Sequence, residues 1–408
     1  MDLILRNARL VEVAGRETVD IGIERGLIAA IEPRLAAEGH ELDAGGRLVA
    51  PGFVETHIHL DKSCILDRCR AEEGTLAEAI AEVAAAKRGF TAEDVHERGA
   101  RTLEKCIAHG TTHMRTHLEV DPGIGLRGLD GVLPLVEDYR WAIDVEICVF
   151  PQEGLLNNPG TDELMVEALE RGARVVGAAP YTDTDPKGQI DRVFELAREF
   201  DVDIDMHLDF GDTAEGMDLE YVCRKAEELG WGGRVTVGHV TKLSLVPPAR
   251  LDELARRLAD CGVAVTVLPS TDLYLMARSW EHAVPRGVSP AHRLLRHGVN
   301  CSLSTNNVLN PFTPFGDCSL VRMANLYANV CQVGAAAETR ECFEMVTRRS
   351  AQILRLDGYG VEVGNAADLV VLDCAAPEQA VAEVVDPIWG FKRGRQTFTR
   401  PPAELHRP

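Results

Sequence analysis

The sequence predicts an α/β chain: a parallel, TIM-like (β/α)8 barrel flanked by a small β unit built from both termini. Eight short apolar runs recur through the middle of the chain, and helical patterns fill most of the intervals between them. Such alternation specifies a parallel sheet covered by helices, and eight repeats are the number that closes a barrel. Residues 1–50 and 358–408 instead read as short strands and turns. A chain of 408 residues has room for a barrel of about 250 residues and a smaller unit. A doubly wound open sheet is the competing architecture. No glycine-rich phosphate fingerprint follows any of the strands, which weakens a nucleotide-binding reading.

The elements follow in order. In the N-terminal part (1–50), Leu3-Ile4-Leu5, Arg9-Leu10-Val11-Glu12-Val13, Asp20-Ile21-Gly22-Ile23 and Leu27–Ile31 lie between glycine and charged turns. The barrel (51–357) takes its strands from Phe53–Asp61, Thr112–Glu119, Val145–Phe150, Val175–Pro180, Ile204–Asp209, Val235–Val240, Val263–Pro269 and Asn300–Asn307. Helical periodicity marks Leu76–Arg88, Ala92–His109, Ile190–Phe200 and Ala214–Leu229. The C-terminal part (358–408) returns to strands at Ala367–Leu372 and Pro387–Phe398.

Charge and composition exclude several classes. The net charge is −21, which argues against nucleic acid or an anionic membrane as partner, since both require basic patches. No apolar run approaches the roughly 18 residues of a membrane helix. Met1–Arg6 lacks the basic and apolar layout of a signal peptide. Eleven cysteines are scattered singly, with no Cys-x-x-Cys, as expected of reduced thiols in the cytoplasm.

A barrel carries its active site at the C-terminal ends of its strands. The first strand ends in His57-Ile58-His59-Leu60-Asp61. Residues i and i+2 of a strand share a face, so the two imidazoles are placed to hold one metal ion; the competing reading is a surface pair with no ligand role. The other strand ends offer Arg115-Thr116-His117-Leu118-Glu119, Pro151-Gln152-Glu153, Ala179-Pro180-Tyr181, His207-Leu208-Asp209, His239, Pro269-Ser270-Thr271-Asp272 and Ser304-Thr305-Asn306-Asn307. Four of the first six strands thus place histidine at one end of the predicted barrel.

These residues carry a resemblance. His57-x-His59, His207 and His239, in this order, resemble the amidohydrolase superfamily. Phe53–Asp61, His113-Met114-Arg115-Thr116-His117, Phe150-Pro151-Gln152-Glu153-Gly154 and Val176–Pro180 resemble its cytosine deaminase-like branch of metal-dependent hydrolases. The resemblance spans nearly the whole chain. It implies that the two ends form a β-sandwich, and that His57, His59 and His207 bind one divalent metal ion, zinc or iron. It further implies that His239 bonds the attacking water or the developing oxyanion, and that Gln152 grips the ring of a small-molecule substrate. Binuclear relatives bridge two metals with a lysine on strand 4; this strand has none, which favours one metal. The resemblance also implies a homo-oligomer.

Two acids of the branch are missing. The proton-shuttling glutamate after strand 5 aligns with Phe210, and the metal-linked aspartate after strand 8 aligns with Asn306. The next acidic position is Asn307. Phenylalanine carries no proton, and an amide is a poor base. Three outcomes compete. The first is hydrolysis of a C–N bond in a small nitrogen ring such as a pyrimidine, triazine or imide, with the proton passed to His239, Asp209, Glu119 or Asp61. The second is a metal-dependent lyase or isomerase, and the third a binding protein without catalysis. The first is the expectation, because a scaffold has no need of the histidines and Gln152.

Smaller signals have two readings each. Asp317 is either a substrate contact or the N-cap of a helix over Ser319–Val333. Asp272 and Tyr274 either line the pocket or lie in a solvated turn. Lys62 either reaches the pocket or makes an ion pair, and Lys242 is similar. His117 either supports the metal site or fills the core, and Asp61 is expected to orient a ligand histidine or Lys62.

Overall fold

The computed structural model describes residues 1–11, 17–401 and 403–406. Its strands are β1 (Leu3–Leu10), β2 (Val19–Glu24), β3 (Leu27–Glu32), β4 (His40–Asp43), β5 (Leu48–Pro51), β6 (Phe53–Ile58), β7 (Thr111–Glu119), β8 (Asp144–Phe150), β9 (Val175–Val176), β10 (Asp203–Leu208), β11 (Val235–His239), β12 (Val263–Val267), β13 (Cys301–Leu303), β14 (Leu369–Leu372), β15 (Pro387–Lys392) and β16 (Arg395–Thr399).

Strands β6 to β13 form one parallel sheet in sequence order, with helices in most of the crossovers. Its two edge strands meet just past their ends. Asn306 N–H donates to the His57 carbonyl at 2.9 Å, and His59 N–H donates to the Asn306 carbonyl at 3.1 Å. A single parallel bridge, Ile58 to Asn306, therefore nearly closes the barrel. An open doubly wound sheet is not what forms. The strands are buried on both faces, by the interior and by the helices, and the interior also holds paired hydroxyls: Thr56 bonds Ser302 and Ser304, and Thr266 bonds Ser302.

Both chain ends contribute to a second sheet, in the order β16-β15-β14-β5-β1-β2-β3, with β4 pairing β1. Leu3, Leu5, Ile21, Ile23, Val49, Leu369, Val371 and Phe391 share one apolar core there, separate from that of the barrel. Residues from positions 3 and 391 thus bury each other, and neither terminus completes that core alone.

Several elements differ from expectation. The first two N-terminal runs are one continuous strand, β1; Glu12 and Val13 lie outside the described residues. Strand β9 is two residues long; its neighbours still bond the sheet at Gly177 and Ala178, and the chain turns into a short 3-10 segment at Pro180. Strand β13 stops at Leu303; Asn306 then takes a φ of 65° as the chain bends across the barrel mouth. The helix expected from Ala214 begins at Leu219. The Asp209 carboxylate fixes that start by accepting from Asp218 N–H at 2.7 Å and Leu219 N–H at 3.0 Å. Such a cap contributes about 1 kcal/mol.

All eleven cysteines are free. Among the described residues no helix is long and apolar enough to cross a membrane.

Candidate metal centre and active site

The ends of β6, β10 and β11 bring His57, His59, His207 and His239 together, all buried. His57 Nε2 lies 3.1 Å from His207 Nε2, which lies 3.2 Å from His59 Nε2. Strand pairing sets this convergence: His207 stands beside Gly238 in the β10–β11 ladder. A Cβ at position 238 would come within 3.3 Å of the His57 ring, so glycine makes room for it.

Burial pushes all three imidazoles well below the usual histidine value, and nearby positive charge pushes them further: neighbouring imidazolium for all three, Lys62 for His59 and His207. They are therefore neutral and carry lone pairs. His59 Nδ1 lies 2.9 Å from the His117 carbonyl and donates to it, which leaves Nε2 as the lone-pair atom. His207 Nε2 thus stands close to two other ring nitrogens, and three lone pairs can face one another at such spacings only if a cation lies between them. Ligand nitrogens on a tetrahedral zinc at ~2.0–2.1 Å stand about 3.3 Å apart, close to the two spacings seen at His207. The residues present fit a divalent metal.

The support beneath is also histidine. His117 stacks on His57, with centroids 3.7 Å apart, and the Phe150 ring stacks on His207 at 4.4 Å. Asp205 Oδ1 lies 3.5 Å from His117 Nε2 and 3.9 Å from His57 Nδ1, while its Oδ2 accepts from Arg115 at 3.0 Å. His117 thus supports the site as well as filling the core.

His239 faces the same point from β11, and one of its nitrogens lies within 4.8 Å of those of His57 and His207. Its Nδ1–H donates to Asp272 Oδ1 at 2.6 Å. Asp272 is fully buried at the start of the helix Pro269–Leu275, not in a solvated turn. Burial pushes its carboxyl above the usual aspartate value, and the contact with His239 pulls the other way. This contact holds the His239 tautomer with Nε2 toward the cavity. The sequence offered one signal for it, a polar residue just past the seventh strand.

A narrow cavity of about 10 Å³, room for about one water, adjoins the histidines. Lys62, Gln152, Tyr181, Phe210, Thr271, Asn307 and Phe312 contribute to its wall. Lys62 is buried, donating to Glu119 Oε1 at 2.7 Å and to Gln152 Oε1 at 3.3 Å. It both makes an ion pair and reaches the pocket, so its two readings were not alternatives. Glu119 is held down to about 2, by Lys62 first and Lys87 next, against the effect of burial.

Other candidates are placed elsewhere. Asp209 is committed to the helix cap described above, and burial raises it to about 6. Asp61 Oδ2 accepts from Glu119 N–H at 2.8 Å and so fixes a strand end, not a ligand histidine or Lys62. Asp317 is not among the cavity's lining residues. It accepts from Ser319 N–H at 3.0 Å and from Arg322 at 2.8 Å, while Ser319 itself caps the helix Leu320–Cys331. Lys242 donates to the carbonyls of Glu215 and Gly216. Tyr274 packs against Phe315 and Arg278. Asn306 is buried beside His57 and His59 with neither side-chain atom hydrogen-bonded, whereas Asn307 Oδ1 accepts from Asn310 at 2.8 Å.

A nearly closed parallel barrel with a buried histidine centre at its C-terminal mouth defines the class: a barrel of the metal-dependent hydrolase type. More particularly, the chain matches the Amidohydrolase family over residues 40–131 and 140–405, and it belongs to that family. It is 30% identical to the N-isopropylammelide isopropyl amidohydrolase of Pseudomonas sp. (strain ADP) over 407 residues, 97% of this chain and 96% of the relative. It is 27% identical to a pterin deaminase of Rhizobium rhizogenes over 368 residues, 88% of this chain and 82% of that one. The 5-methylcytosine deaminase from Klebsiella pneumoniae, solved with 5-fluorocytosine, superposes with a TM-score of 0.95 at 28% identity, covering 99% of each chain.

Proposed function

We propose that this protein hydrolyses a C–N bond of a small nitrogen heterocycle, using one divalent metal ion held by His57, His59 and His207. The observation that carries the reading is the approach of the His57 and His59 Nε2 atoms to His207 Nε2, at 3.1 and 3.2 Å, beside a narrow cavity at the barrel mouth. When bound, such an ion lowers the pKa of a coordinated water from about 15.7 toward 7 and polarises the electrophile.

The chain's own residues supply the rest. His239, backed by Asp272, takes the proton at Nε2 and returns it to the leaving amine; its imidazolium is stabilised by the carboxylate 2.6 Å from Nδ1. Asn306 brings an amide oxygen next to the ligands without adding charge. Gln152 orients the ring, and Phe210, edge-on to His239 at 5.2 Å, gives the cavity an apolar wall where a glutamate would shuttle protons. Proton transfer therefore runs through His239 rather than Asp209, Asp61 or Glu119. A reaction whose leaving group needs no ring-nitrogen protonation suits this arrangement. The relatives' names, an ammelide amidohydrolase and pterin and methylcytosine deaminases, support an aminated or oxo-substituted azine.

We further assign residues 51–357 to the catalytic barrel and residues 1–50 with 358–408 to one β-sandwich, on the strength of their shared apolar core. The function is tested by elemental analysis of purified protein, then a hydrolysis screen over amino- and alkylamino-pyrimidines, triazines and cyclic imides. One equivalent of zinc or iron and hydrolysis of a C–N bond in at least one ring compound are expected. Metal-free protein as isolated, inactive after reconstitution with zinc or iron, would refute it.

A further inference from the structure

The cavity beside the histidines is walled by a cation and by no anion. Among its lining residues, Lys62 is the charged side chain, and no aspartate or glutamate is present. Phe210 and Asn307 occupy wall positions, and Asn306 beside them is uncharged. The carboxylates nearest Lys62 lie behind it. Glu119 is shared between Lys62 at 2.7 Å and Lys87 at 2.9 Å, and Lys87 also pairs with Asp121 and Glu153.

Hydrogen-bond direction sharpens this. An ammonium has three donors. Lys62 spends two, on Glu119 and on Gln152 Oε1. The third has no acceptor among the described residues, and Nζ lies 4.3 Å from the centre of the Phe312 ring, itself in the cavity wall. Because Gln152 Oε1 faces Lys62, its Nε2 turns the other way, beside the Tyr181 hydroxyl. That Nε2 is buried and has no partner besides the Tyr181 hydroxyl. The amide is thus oriented to present its donor group rather than its acceptor. Two donor-bearing side chains, one of them charged, thus line one narrow cavity.

We propose that this edge of the cavity recognises an acceptor-only, anionic edge of the ring: an imide nitrogen that has lost its proton, flanked by oxo groups. Oxo-triazines and oxo-pyrimidines that ionise near neutrality have this edge. A neutral diamino edge presents donors to donors and is rejected, because buried donors left facing donors lose their hydrogen bonds on both sides. Lys62 is then a specificity-determining residue. The proposal rests on the heterocycle reading of the same site but concerns which ring binds, not whether a bond is cleaved.

The experiment is calorimetric binding to the metal-loaded protein at mildly alkaline pH, with two probes on one ring: cyanurate, an anion, and melamine, its neutral triamino counterpart. Cyanurate is expected to bind at least about tenfold tighter than melamine, as one charge-assisted hydrogen bond implies. In Lys62→Met that advantage disappears, while Lys62→Arg, which keeps the charge, retains part of it. Equal binding of the two probes by the wild type overturns the proposal and needs no variant to fold. So does a preference for cyanurate that survives intact in folded, metal-loaded Lys62→Met, because the metal alone would then be its source. Failure of the hydrolase reading looks different: no ring is turned over, yet the Lys62-dependent preference persists.

Discussion

At the mouth of the barrel, His57, His207 and His239 point nitrogens at one another; at the opposite end, His113, Asp144 and Asp368 also bring ligand-type atoms within 4.8 Å. The two clusters are balanced differently. Lys392 Nζ reaches into the lower one, 2.7 Å from both Asp144 and Asp368, and Arg393 pairs with Asp144 at 2.8 Å. The protein's own cations have taken the place a metal would need. At the mouth no such cation stands among the nitrogens of the described residues, and burial holds His57 and His207 neutral. The lower cluster, at the N-terminal ends of β7 and β8, joins the terminal sheet to the barrel, where barrels carry stability rather than catalysis. Proximity of ligand-type residues is thus a weak sign of a metal site; uncompensated lone pairs are a stronger one.

The largest expected effect separates the two clusters directly. His57→Ala or His207→Ala abolishes metal binding and lowers kcat/KM by about a thousandfold or more, as loss of the activated water requires. His113→Ala keeps full metal content and near-normal kcat/KM. Elemental analysis with steady-state kinetics reads both, and metal lost from His113→Ala would break the comparison.

Next comes Lys392→Met. It leaves the buried Asp368 carboxylate without its ammonium and is expected to cost about 3 kcal/mol in urea unfolding, with kcat of the folded fraction unchanged. Asp272→Asn acts in the opposite sense. It should retain metal and stability but lower kcat by about a hundredfold, because His239 loses its tautomer and the partner of its imidazolium. Metal content and kcat measured together distinguish the two.

The smallest effect is one of pH. Burial first, and Lys392 next, depress His113 to about 4 from 6.5. The unfolded chain therefore takes up a proton at this position that the folded chain refuses. The contribution of His113 to stability is fully present above 6.5 and is lost progressively as pH falls toward 4. His113→Gln should flatten that part of the stability profile in urea titrations at stepped pH. An unchanged slope would show that other groups carry it.

Much of the site was legible because its signals are local. His57 and His59 share a strand face at spacing two, and His207 and His239 fall at strand ends, so counting strands placed all four at one mouth. The apolar runs and helix caps, such as Thr75 and Thr91 accepting from Glu78 and Asp94, encode the barrel in the same short-range way. Acids were harder to assign. Asp209, Asp272 and Asp317 all follow strands or precede helices, and nothing local says which of them caps a helix and which turns inward. Asp209 and Asp317 satisfy backbone N–H groups near their own position, whereas Asp272 reaches a histidine 33 residues away.

The sequence by itself determined the barrel, the strand-like ends and the four histidines, because period, spacing and residue type act over a few residues. Only the tertiary structure decided that Asp272 backs His239, that Lys392 neutralises the lower cluster, and that Lys62 turns Gln152 so that its donor group faces away from the ammonium. Those outcomes depend on side chains from distant strands meeting in a low-dielectric interior, where each buried charge or lone pair must find its partner and the chain order does not say which.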